Sequence, residues 1–190
     1  MTYLVFGLVL FLGVHSISIV APAWRDRTAF RLGNAWRGLY SLVSIAGFIL
    51  IIRGYGLARH GPVVLYATPF WTRYITPVLM LPVFPLILAP YFPGRIKTAL
   101  KHPMMIAVTL WAVAHLIVAG TLSDLLLFGG FLVWAITDIV SYRWRTQRPI
   151  ATAPPMKLND VIVVVLGLAL YVIFAYWLHP RWIGVTALPL

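Results

Sequence analysis

The sequence predicts an all-α fold, a polytopic membrane bundle of six transmembrane helices, and three observations carry that prediction. Hydrophobic residues make up 62% of the chain and charged residues 10%, with a mean hydropathy of +0.93. Apolar runs recur at the ~20-residue length that crosses a hydrocarbon core ~30 Å thick. The basic residues cluster between those runs, where they act as topology signals.

The first run, residues 2–21, has no Lys or Arg before Arg25. A cleavable signal peptide places its positive charge ahead of the apolar stretch, so this run reads as a retained helix with its N-terminus outside. The remaining spans fall at residues 38–57, 74–92, 103–119, 122–142 and 161–178. Of the fifteen Lys and Arg, eleven lie in the loops after spans one, three and five and four lie on the opposite side. The positive-inside bias therefore puts both termini outside and the odd-numbered loops in the cytoplasm.

The third span carries Pro77, Pro82, Pro85 and Pro90. Each proline removes a backbone donor, so this helix is expected to kink, and its freed carbonyls need a partner from protein or water. Gly120 and Thr121 are all that separate spans four and five, which implies a tight antiparallel hairpin. Residues 148–157, RPIATAPPMK, have the composition of a stiff spacer. The expected organisation is one integral-membrane domain over 1–190, with a core at 2–145, a Pro-rich linker at 146–159 and a final helix at 160–179.

A net charge of +11 would suggest nucleic acid in a soluble chain, but no nucleic-acid motif accompanies it, and here the bases face anionic headgroups. No Glu and no Cys are present. The absence of cysteine excludes a disulfide, a thiolate nucleophile, an iron–sulfur cluster and cysteine-ligated zinc. The chain also lacks an HExxH pair, a Ser-His-Asp arrangement, a phosphate-cradling glycine loop and an S-adenosylmethionine fingerprint.

Ionisable groups at membrane depth are costly, roughly 2.5 to 3.5 kcal/mol each on insertion scales, so each is a site candidate. They concentrate between His102 and Arg145. His115 sits two-thirds along the fourth span, with Ala112 and Ala119 leaving shallow relief that can seat another helix or a flat macrocycle. His15 lies inside the first span. Either histidine alone reads as a neutral side chain bonded to a neighbouring helix; together they are the pattern by which imidazoles on facing helices hold a b-type haem. A rise of 1.5 Å per residue places His15 roughly 10 Å and His115 roughly 20 Å from the cytoplasmic edge. His15 is thus the firmer ligand, and His115 and His102 compete to be its partner.

His102 precedes Pro103, which opens the fourth span at its first turn. His60 and His179 read as interfacial. Asp26 is expected to pair with a neighbouring arginine. Asp124 and Asp138, fourteen residues apart, should share one face of span five, and Asp138 is placed to accept from Tyr142 or from a loop arginine. Asp138, Arg25 and Arg37 are secondary site candidates.

Several of these stretches together carry a family resemblance: GLVLFLGVHS followed by WRD, then WRGLYSLVSIAGF, GYGLAR, HPMMIAVTLWAVAHLIVAG and LLLFGGFLVWAITD. Over residues 2–145 the chain resembles the NnrU family of bacterial membrane proteins. It is similar, more distantly, to the 15-cis-zeta-carotene isomerases of plants and cyanobacteria, which hold haem b between two membrane histidines. The resemblance implies haem b with His15 and His115 as ligands of the iron, and matches His102-Pro103 to a second His-Pro element. It also implies residence in the bacterial inner membrane and a tie to nitrite and nitric oxide metabolism in denitrification. Ala112 stands where the isomerases have a cysteine, so a thiolate cannot exchange onto the iron here.

The functions left open are a haem-dependent isomerase acting on a hydrophobic small molecule, a nitric oxide sensor or assembly factor without turnover, a membrane accessory subunit with no cofactor, and a methyltransferase of the isoprenylcysteine type. The catalytic residues are not identified by the sequence. The bilayer is the one partner it implies directly.

Overall fold

The computed structural model describes residues 1–188 and builds them from helices: α1 (Thr2–Val20), α2 (Pro22–Leu32), α3 (Asn34–Ala58), α4 (Thr72–Met80), α5 (Val83–Leu88), α6 (Arg95–Leu100), α7 (Pro103–Val118), α8 (Leu122–Asp124), α9 (Gly130–Ser141), α10 (Asn159–Ile173) and α11 (His179–Ile183). Continuous helical stretches long and apolar enough to cross a bilayer are Thr2–Val20, Asn34–Ala58, Thr72–Tyr91, Leu122–Ser141 and Asn159–Ile183. The chain is a polytopic, all-α membrane protein. The expected count of six spans is not reached on length: α7 has 16 residues, about 24 Å at 1.5 Å per residue, short of a ~30 Å core.

The chain folds as two compact units, one of residues 1–65 and 121–146, the other of residues 66–120 and 147–190. The passage at Gly120-Thr121 is a unit boundary, so the two helices expected to form a hairpin are divided between the units.

In the first unit α1 packs along α3 through glycines. A Cβ on Gly7 would meet the Ile51 backbone, one on Gly47 the Phe11 backbone, and one on Gly54 the Leu4 backbone. Without a hydrophobic drive between helices in lipid, such close approach is what holds them together. The stretch 122–141 is interrupted by a π turn at Leu125–Gly129. That turn carries an extra residue, which rotates everything after it by about 100° relative to a regular helix. Counting turns from Asp124 to Asp138 therefore no longer puts both on one face, a correction the sequence gives no sign of.

In the second unit the proline-rich span, expected to kink, is locally irregular: a turn at Leu81-Pro82 separates α4 from α5, and a 3-10 turn covers Ala89–Tyr91. Two carbonyls of this span take side-chain donors. The Tyr171 hydroxyl donates to the Pro77 carbonyl at 3.1 Å, and Lys97 Nζ to the Pro90 carbonyl at 2.9 Å. α10 lies on α5 at Gly167, where a Cβ would meet Pro85. Tyr66 closes the C-terminal end of α7, its hydroxyl 2.7 and 2.8 Å from the Leu116 and Ala119 carbonyls.

Candidate functional site

The first unit holds His15 in an aromatic box. One helical turn earlier on α1, Phe11 stacks on the imidazole with ring centres 4.3 Å apart. Tyr40 from α3 and Trp134 from α9 meet it edge-on at 5.3 and 5.9 Å. His15 Nδ1 lies 2.6 Å from the Phe11 carbonyl. A carbonyl oxygen only accepts, so Nδ1 carries the proton and Nε2 of the neutral ring keeps its lone pair. Trp134 adds a buried Nε1–H with no acceptor among the described residues. Sequence reasoning missed Phe11, Tyr40 and Trp134. Phe11 was detectable from its i, i−4 spacing to His15, whereas Tyr40 and Trp134 reach the ring only through helix packing.

One turn beyond Trp134 lies Asp138, 7% exposed, which takes a guanidinium from the loop as the sequence suggested. The donor is Arg145, whose Nη2 pairs with Asp138 Oδ1 and whose Nε donates to Ser141 Oγ at 2.6 Å. The other membrane acid, Asp124, is held by Tyr55, whose hydroxyl donates to Oδ1 at 2.6 Å, and by the Thr121 N–H at 2.9 Å. Thr121 and Asp124 form a reciprocal capping box that starts the following helix. Asp124 therefore has a structural task, one that TLSD, a capping-box sequence, already spells out. Arg25 pairs with Asp26 at 3.0 Å, as expected, and Arg37 is exposed on α3 next to the buried Trp36.

The second unit contains the other two candidates. His115 repeats the local geometry of His15, with Nδ1 2.8 Å from the Trp111 carbonyl one turn back and the Trp111 ring centre 5.4 Å away. Its Nδ1 is therefore protonated too, and the lone pair sits on Nε2. Ala112, expected to leave relief on this face, has no exposed surface. His102 caps α7 ahead of Pro103 as the sequence predicted, but its ring is bound the other way round. Gln147 Nε2 reaches the Lys101 carbonyl at 3.1 Å and His102 Nδ1 at 2.6 Å. An amide nitrogen only donates, so Nδ1 accepts and the proton of the neutral ring moves to Nε2.

Among the described residues, no three His, Asp or Glu side chains gather as they would around a metal bound by protein alone. An iron that brings four macrocycle nitrogens with it asks only one or two imidazoles of the protein, and the donor set at His15 fits that need.

The family model described as NnrU protein matches residues 3–187. No curated protein and no solved structure matches the chain.

Proposed function

Because the chain belongs to the NnrU family, we propose that it is a membrane haem protein of nitrite and nitric oxide metabolism, with His15 and His115 the candidate residues that would hold haem b. The observation that carries this reading is the proton position on the two imidazoles. Haem ligands bind through Nε2 while Nδ1–H is tied to a carbonyl, which fixes both tautomer and ring orientation. His15 and His115 share that arrangement and His102 has the reverse.

A haem held by imidazole would supply one-electron chemistry and gas binding. The chain's own residues do the rest. The Phe11 carbonyl holds the His15 ring at a set rotation, while Phe11, Tyr40 and Trp134 wall it and exclude water. Arg145 neutralises Asp138, the acid one turn beyond Trp134 on α9.

The test is the absorbance spectrum of detergent-purified protein, oxidised and then reduced, for the wild type and for His15→Ala and His115→Ala. A haem band is expected in the wild type, with loss or a marked shift in each variant. A band unchanged in both variants overturns the ligand assignment. A second reading, an accessory subunit without cofactor, is favoured by the complete covering of Ala112 beside His115. It predicts colourless protein even from cells supplied with haem.

A further inference from the structure

The arginine-rich helix α2 has no buried residue and displays Trp24, Phe30 and Leu32, with Phe30 91% exposed. Large apolar side chains interleaved with arginines on a short helix after a membrane span are the composition of a segment lying at the headgroup level. On such a helix Trp24, Arg27 and Arg31 stand at i, i+3 and i+7, on one face. Trp24 also forms one wall of a cleft of about 360 Å³ whose other walls include Val9, Gly13, Ile17, Tyr40 and Val43.

The cleft is apolar, and it runs along α1 from Ile17 to Val9, about 12 Å at 1.5 Å per residue. Gly13 makes it: nothing lies within 4 Å of where its Cβ would be, so the helix surface is recessed there. The segment that supplies Trp24 and Trp36 to the cleft is strongly basic. Between residues 22 and 37 the chain has Arg25, Arg27, Arg31 and Arg37 against the single acid Asp26, which is paired with Arg25. Arg27, Arg31 and Arg37 are all exposed.

We infer that this is a binding site for one anionic phospholipid, its acyl chain lying along the cleft and its phosphate held by Arg27 and Arg31 beside Trp24. An elongated apolar slot fits a hydrocarbon chain, and the exposed guanidiniums of Arg27 and Arg31, on the helix face that carries the cleft residue Trp24, complement a phosphate carrying net negative charge. The basic loop is also the one that the charge bias assigns to the cytoplasmic leaflet, where anionic lipids are recognised by such clusters. The site does not depend on the haem reading.

The test is native mass spectrometry of detergent-solubilised protein exposed to phosphatidylglycerol and phosphatidylcholine of identical chains. The wild type should retain phosphatidylglycerol in preference to phosphatidylcholine. The double variant Arg27→Gln/Arg31→Gln should lose that preference by about tenfold or more, the effect of two interfacial charges. Gly13→Leu, which fills the recess, should reduce retention of both lipids. Unchanged melting temperatures would show that the arginine variants, altered only on an exposed helix, remain folded. Equal retention of the two lipids by the wild type, or a preference that survives the double substitution, overturns the site. Retention undiminished in Gly13→Leu removes the acyl chain from the cleft.

Discussion

Arg145 turns back onto its own helix to meet Asp138, seven residues earlier, and packs its guanidinium 4.0 Å from the Tyr142 ring centre while bonding Ser141. The side chains of Arg145 and Asp138 are only 6% and 10% exposed. Removing one member of such a pair strands the other charge away from water. Arg145→Ala or Asp138→Ala should each cost about 3 to 5 kcal/mol, and the double substitution clearly less than their sum. Thermal unfolding in detergent of the two single variants and the double variant measures this. Additive losses would show that the two groups act separately.

Tyr55 and Asp124 are joined by a 2.6 Å hydrogen bond, and Asp124 also caps the helix that begins after Thr121. Tyr55→Phe deletes one donor to a buried carboxylate, a loss of about 1.5 to 3 kcal/mol. Thr121→Val deletes the hydroxyl that accepts from the Asp124 N–H, a loss of about 0.5 to 2 kcal/mol. Hydrogen exchange should show the Thr121 and Asp124 amides opening faster in both variants, with the α1 and α3 amides unaffected.

Gly7 and Gly13 lie six residues apart on α1 and should respond oppositely to a methyl group. Gly7→Ala pushes a Cβ into the Ile51 backbone, whereas Gly13→Ala enters open space. The first should destabilise by about 1 to 3 kcal/mol. The second should be neutral or slightly stabilising, alanine being the better helix former. Melting temperatures in one detergent decide it, and equal effects at the two positions would contradict the glycine-mediated packing of α1 on α3.

His102 should be dispensable for pigment. His102→Ala is expected to leave the reduced absorbance spectrum unchanged, because Gln147 already takes its Nδ1 and the ring proton resides on Nε2. Gln147→Leu should likewise leave the spectrum unchanged, while loosening the contact between residues 101–102 and the 147 region enough to raise proteolysis there. A spectral shift in His102→Ala but not in His115→Ala would transfer the proposed haem-holding role from His115 to His102.

The features legible in the sequence were those set by local spacing or by strong chemistry. Hydropathy marked the long apolar helices, Pro103 the start of α7 and the prolines the irregularity of the third span, and Asp26 and Asp138 found arginines close by in the chain. The pair Tyr55–Asp124 is 69 residues apart, and no periodicity links such positions. The π turn at Leu125–Gly129 occupies a run of Leu, Phe and Gly that reads as ordinary helix, so residue spacing alone does not give the face of Asp138. For the candidate site, the histidines themselves were visible from their cost at membrane depth. Their tautomers were not, since these depend on which carbonyl or amide each ring meets in three dimensions.

Each compact unit is stitched from two stretches of chain, 1–65 with 121–146 and 66–120 with 147–190. Vectorial synthesis therefore cannot finish either unit before starting the other. The N-terminal helices are made long before the segment bearing Trp134 and Asp138 leaves the ribosome, and the proline-rich helix is made long before α10, so each unit has to close on a partner segment that arrives late.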